Sequence, residues 1–192
     1  MHLPLVRRRI LQGLWLLLVW SWLALSLAPA PVAAQGVDLV SLRTNRDDGS
    51  LSLEFSVRLT LNRTVENALQ YGVPVYFVAQ AELKRSRWYW RDERIARVTR
   101  QWRLAYQPLT GTWRVGLAGI NQTYPTLSEA LVAVSRSAGW RLADLSQVDS
   151  DSRHYIDFSY RLDTSQLPGP MQFGLAGQGD WALGVERTLR LD

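Results

Sequence analysis

The sequence predicts a mainly β fold, built as an antiparallel sheet or β-sandwich with two short helices. Apolar and polar residues alternate over residues 51–61 and 154–162, which places the apolar side chains on one face of each strand. Turn residues separate further extended segments, and only two short segments have helical spacing. The chain contains no Cys, so core packing alone has to hold these layers together.

The first two strands are predicted to form a hairpin. One strand covers residues 37–43, and the other is the alternating segment at residues 51–61. Asp48-Gly49 lies between them. An Asp-Gly pair readily adopts the positive backbone angles that a tight hairpin turn requires, so the turn is expected there.

Two short helices are predicted from capping signals and apolar spacing. The first covers residues 64–71, with Thr64 placed to cap its free amide groups. The second begins at Thr126, where Glu129 stands at the spacing of a capping box, and it is expected to continue to Gly139.

The remaining extended segments are predicted to complete the sheet or sandwich. Three of them form a meander of consecutive antiparallel strands, at residues 75–90, 94–106 and 112–117. The later strands are expected at residues 140–143, 154–162, 172–175 and 181–191.

Residues 1–34 have the pattern of a secretory signal. Three arginines at residues 7–9 precede an apolar segment at residues 10–27, and small residues follow it. Cleavage after Ala34 is expected to leave a single strand-rich domain at residues 35–192. The alternative is an uncleaved anchor, since the apolar segment approaches the roughly 18 residues of a spanning helix. Either way, the N-terminal segment is expected to contact a membrane, and the domain is expected to be exported to the periplasm or anchored at the inner membrane.

The positive charge of the mature chain is concentrated in one segment. Three of the 22 Lys and Arg residues and none of the 17 acids lie in the signal, so the mature chain carries +2. Residues 84–103 contain eight Lys and Arg against two acids, a net charge of +6. The rest of the mature chain therefore carries −4. Such polarisation is typical of surfaces that bind charged partners.

A basic and aromatic segment near the first turn of the predicted meander is the candidate binding site. This hairpin patch comprises Arg85, Arg87, Trp88, Tyr89, Trp90, Arg91, Arg94 and Arg97. Guanidinium groups beside aromatic rings suit the capture of phosphate or carboxylate groups with stacking. The alternative, which the sequence favours, is structural: the arginines brace the hairpin by cation–π contacts with Trp88, Trp90 and Trp102.

Catalytic, cofactor-binding and metal-binding residues are not predicted. His154 is the only His outside the signal, so a zinc site or a His-based triad lacks the residues it needs, and His154 is interpreted as structural. One enzymatic alternative stays open, a weak hydrolase of cell-wall glycan that uses a pair of carboxylates. Its candidate residues are Asp144, Asp149, Asp151 and Asp157.

Three motifs of the mature chain resemble a known family. They are Gly72-Val73-Pro74-Val75, Arg87-Trp88-Tyr89-Trp90 and Leu167-Pro168-Gly169-Pro170. Residues 37–191 are similar to a family of uncharacterised exported bacterial proteins, the domain of unknown function 4390. The resemblance implies export and an unassigned activity, with no catalytic residues to carry over. It also implies a two-component sensor kinase as a genomic neighbour, and thus a role near envelope signalling.

These observations favour a non-enzymatic binding or interaction module of the cell envelope, with no cofactor. Its expected partner is an envelope membrane protein such as a sensor kinase, or an anionic envelope component; nucleic acid is not expected. A structural alternative is an envelope protein that oligomerises. The apolar face at residues 51–61 has to be covered either within the chain or by another copy.

Overall fold

The computed structural model describes residues 36–89, 91–149, 152–169 and 178–191. The predicted signal, the predicted strand at residues 172–175, Trp90 and Asp151 lie outside these ranges. The helices are α1 (Arg63–Gln70) and α2 (Leu127–Val134). The strands are β1 (Val37–Asp47), β2 (Ser50–Leu59), β3 (Val75–Arg85), β4 (Glu93–Gln107), β5 (Thr112–Leu117), β6 (Ile120–Tyr124), β7 (Arg136–Asp144), β8 (His154–Leu162) and β9 (Gly184–Leu191).

The strands form two antiparallel sheets that pack face to face. Sheet A has the order β1-β2-β7, and sheet B has the order β6-β5-β4-β3-β8-β9. Asp48 and Gly49 join β1 to β2 with φ angles of 49° and 72°, which confirms the predicted hairpin turn. The predicted meander is present as β3, β4 and β5, and β6 extends it by a strand that the sequence did not predict. The mainly β sandwich with two short helices is therefore confirmed.

The core lies between the sheets and is centred on the Phe55 ring of β2. The Phe55 ring centroid lies 5.0 Å from that of Phe158 and 5.9 Å from that of Tyr160, both on β8. It lies 6.1 Å from the rings of Trp102 on β4 and Trp140 on β7. The apolar face of β2 is thus covered by sheet B within the same chain.

Helix α1 forms where it is predicted, but with a different cap. Asn62, not Thr64, is the N-cap, because the Asn62 side chain accepts a hydrogen bond from the Val65 amide at 3.0 Å. Gly72 follows the helix with a φ of 81°, a left-handed conformation that costs glycine little. The chain can therefore turn directly from α1 into β3.

Helix α2 is shorter than predicted. Thr126 is its N-cap, as expected, and accepts a hydrogen bond from the Glu129 amide at 3.3 Å. The helix ends at Val134 and does not continue to Gly139, because β7 begins at Arg136 and pairs with β2. Within the described ranges, neither helix has the length and apolar character needed to cross a membrane.

Candidate functional site

The hairpin patch lies on the β3–β4 hairpin, at one end of sheet B. Strand β3 ends at Arg85 and β4 begins at Glu93, and these two residues form the last cross-strand pair. Residues 86–92 form the connection, which we call the hairpin tip. The first strand of the meander was predicted to cover residues 75–90. The prediction that it continues beyond Arg85 is therefore wrong.

One carboxylate fixes the base of the hairpin tip. Asp92 Oδ1 accepts a hydrogen bond from the Arg87 amide at 3.1 Å, and Asp92 Oδ2 accepts one from the Tyr155 hydroxyl of β8 at 2.5 Å. The hydrogen bond from the Tyr155 hydroxyl, together with the one from the Arg87 amide, lowers the pKa of Asp92. The same bond raises the pKa of Tyr155 to about 12. The Ser86 amide also donates to the Arg153 carbonyl oxygen at 2.9 Å, which ties the tip to the start of β8.

Two aromatic side chains project from the fixed tip into solvent. Trp88 is 93% exposed and Tyr89 is 67% exposed. Their ring centroids are 5.0 Å apart with an interplanar angle of 71°, an edge-to-face contact. The other described tryptophans are buried, namely Trp102, Trp113, Trp140 and Trp181. Trp88 is therefore the one described tryptophan that the fold does not use in its core.

Carboxylates hold the basic side chains that lie within β3 and β4. Glu82 forms an ion pair with Arg97 directly opposite on β4, and it lies 3.3 Å from Lys84 and 3.8 Å from Arg94. Lys84 Nζ also donates to Asp157 Oδ2 of β8 at 2.9 Å. We call these five residues the Glu82 network. It lies on the face of sheet B that is turned away from the core.

Both acids of the Glu82 network stay ionised at neutral pH. Burial raises the pKa of Glu82, but hydrogen bonds from Arg97 and Lys84 outweigh this effect and hold it below its ordinary value. Burial likewise raises the pKa of Asp157, and bonds from Thr188 and Lys84 bring it below the ordinary value. The hydrogen bond to Asp157 raises the pKa of Lys84. The network therefore compensates much of the positive charge of the two strands.

The prediction that Trp102 braces the hairpin through cation–π contacts is wrong. Trp102 faces the core with 2% exposure, whereas Arg97 lies on the opposite face of β4 beside Glu82. The cation–π contact present in the described part of the chain joins the two sheets instead. Arg100 of β4 lies over Trp140 of β7, with Cζ 5.4 Å from the ring centroid.

The hairpin patch is thus divided into strand residues and tip residues. Arg94 and Arg97 belong to the Glu82 network. Arg85 lies 3.4 Å from Glu93 and 2.7 Å from Asp149, and Arg87 also pairs with Glu93. The members at the tip are Arg87, Trp88, Tyr89 and Arg91, with Trp90 outside the described residues. Arg91 has no ion-pair or hydrogen-bond partner within the described ranges.

Three of the four aspartates considered for glycan hydrolysis are described, and a basic side chain holds each of them. The pairs are Asp144 with Arg141, Asp149 with Arg85, and Asp157 with Lys84. Asp144 ends β7 of sheet A, whereas Asp157 lies on β8 of sheet B. Within the described ranges, no three His, Asp or Glu side chains are grouped to hold a metal ion.

The sandwich matches one protein family over most of the chain. A family model described as a domain of unknown function (DUF4390) matches residues 34–190. No curated protein and no solved structure matches the chain. The matched region contains both helices, nearly all of both sheets and the whole hairpin patch. The chain therefore belongs to the DUF4390 family, as its sequence motifs predict.

Proposed function

We propose that this chain is a non-enzymatic interaction module of the cell envelope, which binds a partner protein through the hairpin tip. The observation that supports this proposal is the exposure of Trp88 and Tyr89 on a connection that is fixed at its base. Adjacent exposed aromatic side chains leave apolar surface in water that a partner would bury. Trp, Tyr and Arg are also the residues that contribute most to protein interfaces.

The anchoring of the tip favours binding because it lowers the entropic cost of association. A free loop loses conformational freedom when a partner fixes it, and this loss opposes binding. Here the Asp92 carboxylate already accepts hydrogen bonds from the Arg87 amide and the Tyr155 hydroxyl. The Ser86 amide also donates a hydrogen bond to the Arg153 carbonyl oxygen. The two ends of the tip are therefore held in place before a partner arrives.

The charge of the tip favours a partner with an acidic surface. Arg91 has no ionic partner within the described ranges, and Arg87 shares Glu93 with Arg85. A guanidinium group can bind a carboxylate through two parallel hydrogen bonds. We expect the partner to present Asp or Glu side chains next to an apolar pocket for Trp88.

The proposed partner is the extracytoplasmic part of an envelope membrane protein, such as a sensor kinase. The signal-like pattern of residues 1–34 supports export, to the periplasm or to the outer surface of the inner membrane. The family resemblance supports a sensor kinase as the neighbour. An anionic envelope component is the alternative partner, and its binding would weaken steeply with added salt.

The test compares capture of membrane proteins by the tagged full chain and two variants. Trp88→Ala removes the exposed tip side chain, and Tyr71→Ala is the matched control, since Tyr71 is 85% exposed but follows α1. We expect Trp88→Ala to lower recovery of the partner about tenfold, as loss of a central interface Trp does. Tyr71→Ala should leave recovery unchanged. Quantitative mass spectrometry of the captured proteins measures both effects.

Thermal melts accompany the capture experiment. Both variants remove an exposed side chain, so both should melt at the temperature of the wild type. The proposal is contradicted if the wild type and Trp88→Ala recover every membrane protein equally while both remain folded.

A further inference from the structure

Sheet B ends in β6, an edge strand that has a neighbouring strand on one side. Strand β6 pairs with β5 over all five of its residues, and within the described ranges no other strand pairs with it. Four of the five residues are exposed, among them Ile120 at 68%. An edge strand presents backbone N–H and C=O groups with which another strand can pair. Strand β6 is therefore a surface at which a further strand can join sheet B.

Charged residues and irregular pairing protect the other three sheet edges against such pairing, but not β6. Natural proteins protect edge strands with charged side chains and β-bulges. Strands β1 and β7 have both features, since their pairings with β2 contain register shifts and each strand carries at least three charged residues. Strand β9 contains Glu186, Arg187 and Arg190. Strand β6 has neither a charged residue nor a register shift in its pairing with β5.

The turn between β5 and β6 determines which backbone groups of β6 point outward. It is a two-residue turn with φ angles of 49° and 86°, and it closes on the pair Leu117 and Ile120. The residues that flank such a turn exchange both backbone hydrogen bonds, and bonded and non-bonded pairs then alternate along the strands. Every second residue from Ile120 therefore bonds to β5. Asn121 and Thr123 direct their N–H and C=O groups away from β5, toward the open edge.

We propose that β6 pairs in antiparallel orientation with β6 of a second copy of this chain, so that the two B sheets form one continuous sheet. The pairing has a two-fold axis at Gln122, which faces Gln122 of the second copy. Asn121 then faces Thr123, and the outward N–H and C=O groups of these two residues bond to each other across the axis. Ile120 faces Tyr124, and a β-branched side chain opposite an aromatic one stabilises antiparallel strands.

The side chains of β6 suit a second copy because they are complementary to themselves. A residue on a two-fold axis faces its own copy, so a charged residue there would be repelled, and β6 carries none. The Gln122 amide contains both donors and an acceptor, as a self-pairing side chain requires. The Tyr124 hydroxyl donates to Gln122 Oε1 at 2.6 Å, which orients this amide within each copy. The hairpin tip lies on the β3–β4 hairpin and is not part of this edge.

Disulfide cross-linking tests this pairing, and the chain suits the method because it contains no Cys. Gln122→Cys places a thiol opposite its own copy in a non-hydrogen-bonded pair, at a Cα separation of about 4.5 Å, which a disulfide can span. Asn121→Cys is the matched control, since Asn121 is also exposed on β6. Its two copies would lie diagonally across the strands at about 7–8 Å, which is beyond the reach of a disulfide.

Mild oxidation of the detergent-solubilised full chain should link Gln122→Cys into a dimer, with a yield about tenfold above that of Asn121→Cys. Non-reducing gel electrophoresis measures both yields. Equal yields would overturn the proposal, because random collision or association through another surface links both thiols alike. An absence of linked dimer for Gln122→Cys would overturn it as well.

A second variant tests the backbone bonds of the pairing. Thr123→Pro removes an N–H group that faces the open edge, where an edge strand tolerates proline. Combined with Gln122→Cys, it should lower the yield of linked dimer about tenfold, because each copy loses a backbone hydrogen bond to the other. Thermal melts show whether the double variant is folded. An unchanged yield from a folded double variant contradicts the proposal, and if the double variant is unfolded, the comparison of the two cysteine variants decides.

Discussion

Arg97 and Arg91 belong to the same basic segment, but their surroundings in the fold differ. Arg97 lies on β4 directly opposite Glu82, and the two side chains form an ion pair on the outer face of sheet B. Arg91 lies in the hairpin tip, beside an exposed aromatic pair, and has no ionic partner within the described ranges. The strand arginine is thus part of the structure, whereas the tip arginine is available to a partner.

The difference between the two arginines shows that strand pairing, and not the local density of charge, decides which basic side chains an acid compensates. A cross-strand acid compensates the charge of a strand residue and restricts its side chain. Arg91 in the tip has no cross-strand neighbour and no ionic partner within the described ranges, whereas Arg87 at the start of the tip pairs with Glu93. The part of the hairpin patch to which we assign the proposed binding role is accordingly smaller than the patch that the sequence predicts.

The largest loss of stability is expected from Glu82→Gln, which removes the acid that pairs with the strand arginine Arg97. The change keeps the shape of the side chain but removes the negative charge among Lys84, Arg94 and Arg97. We expect the free energy of unfolding to fall by about 1–3 kcal/mol, because hydrogen bonds to a largely buried charged group are lost. Chemical denaturation measures this change.

Glu186→Gln is the control for Glu82→Gln. Glu186 is exposed on β9 and has no hydrogen-bond or ion-pair partner within the described ranges. Its replacement should change the free energy of unfolding by less than about 0.5 kcal/mol. Equal losses for the two variants would show that the Glu82 network does not stabilise the sandwich.

An intermediate loss of stability is expected from Arg97→Gln, and no loss is expected from Arg91→Gln. Arg97 is about half exposed, so the loss of its ion pair should lower the free energy of unfolding by about 0.5 kcal/mol. Arg91→Gln should leave thermal and chemical unfolding unchanged, since no protein contact is lost within the described ranges. If Arg91→Gln destabilises the chain as much as Arg97→Gln, the distinction between strand and tip arginines does not hold.

Much of the fold is predictable because its strongest signals are local. The alternation in β2 and β8 and the Asp48-Gly49 turn depend on neighbouring residues alone. Strand β6 was missed because four of its five residues are exposed and the segment lacks apolar alternation. The end of α2 was missed because β7 is selected by pairing with β2, far away in the sequence.

The candidate site was only partly predictable, because contacts between residues far apart in the sequence leave no local signal. Sequence reasoning located the hairpin patch but not all its acidic partners, since an acid such as Asp149, which pairs with Arg85, is brought close only by the fold. Alternation along β3 does place Glu82 on the outer face, opposite the buried face of Phe77 and Leu83, and could have indicated its role.

The smallest measurable loss of stability is expected from Tyr155→Phe, which removes a hydrogen bond at the base of the tip. Asp92 has a lowered pKa in the folded chain, so its bond contributes stability above the ordinary Asp value of about 3.9 and is lost as the pH falls through the folded value. The pKa of Tyr155 is raised to about 12, so the contribution fades again as alkaline pH approaches that value.

We therefore expect the melting temperature of Tyr155→Phe to lie slightly below that of the wild type near neutral pH, and the two curves to converge at strongly acidic and strongly alkaline pH. Tyr76→Phe is the control, because the Tyr76 hydroxyl has no hydrogen-bond partner within the described ranges. Its melting temperature should follow the wild type at every pH. A difference between wild type and Tyr155→Phe that is the same at about pH 2 and about pH 7 would show that the hydroxyl acts through packing and not through the Asp92 carboxylate. In that case the tip would lack the anchor on which its proposed binding role depends.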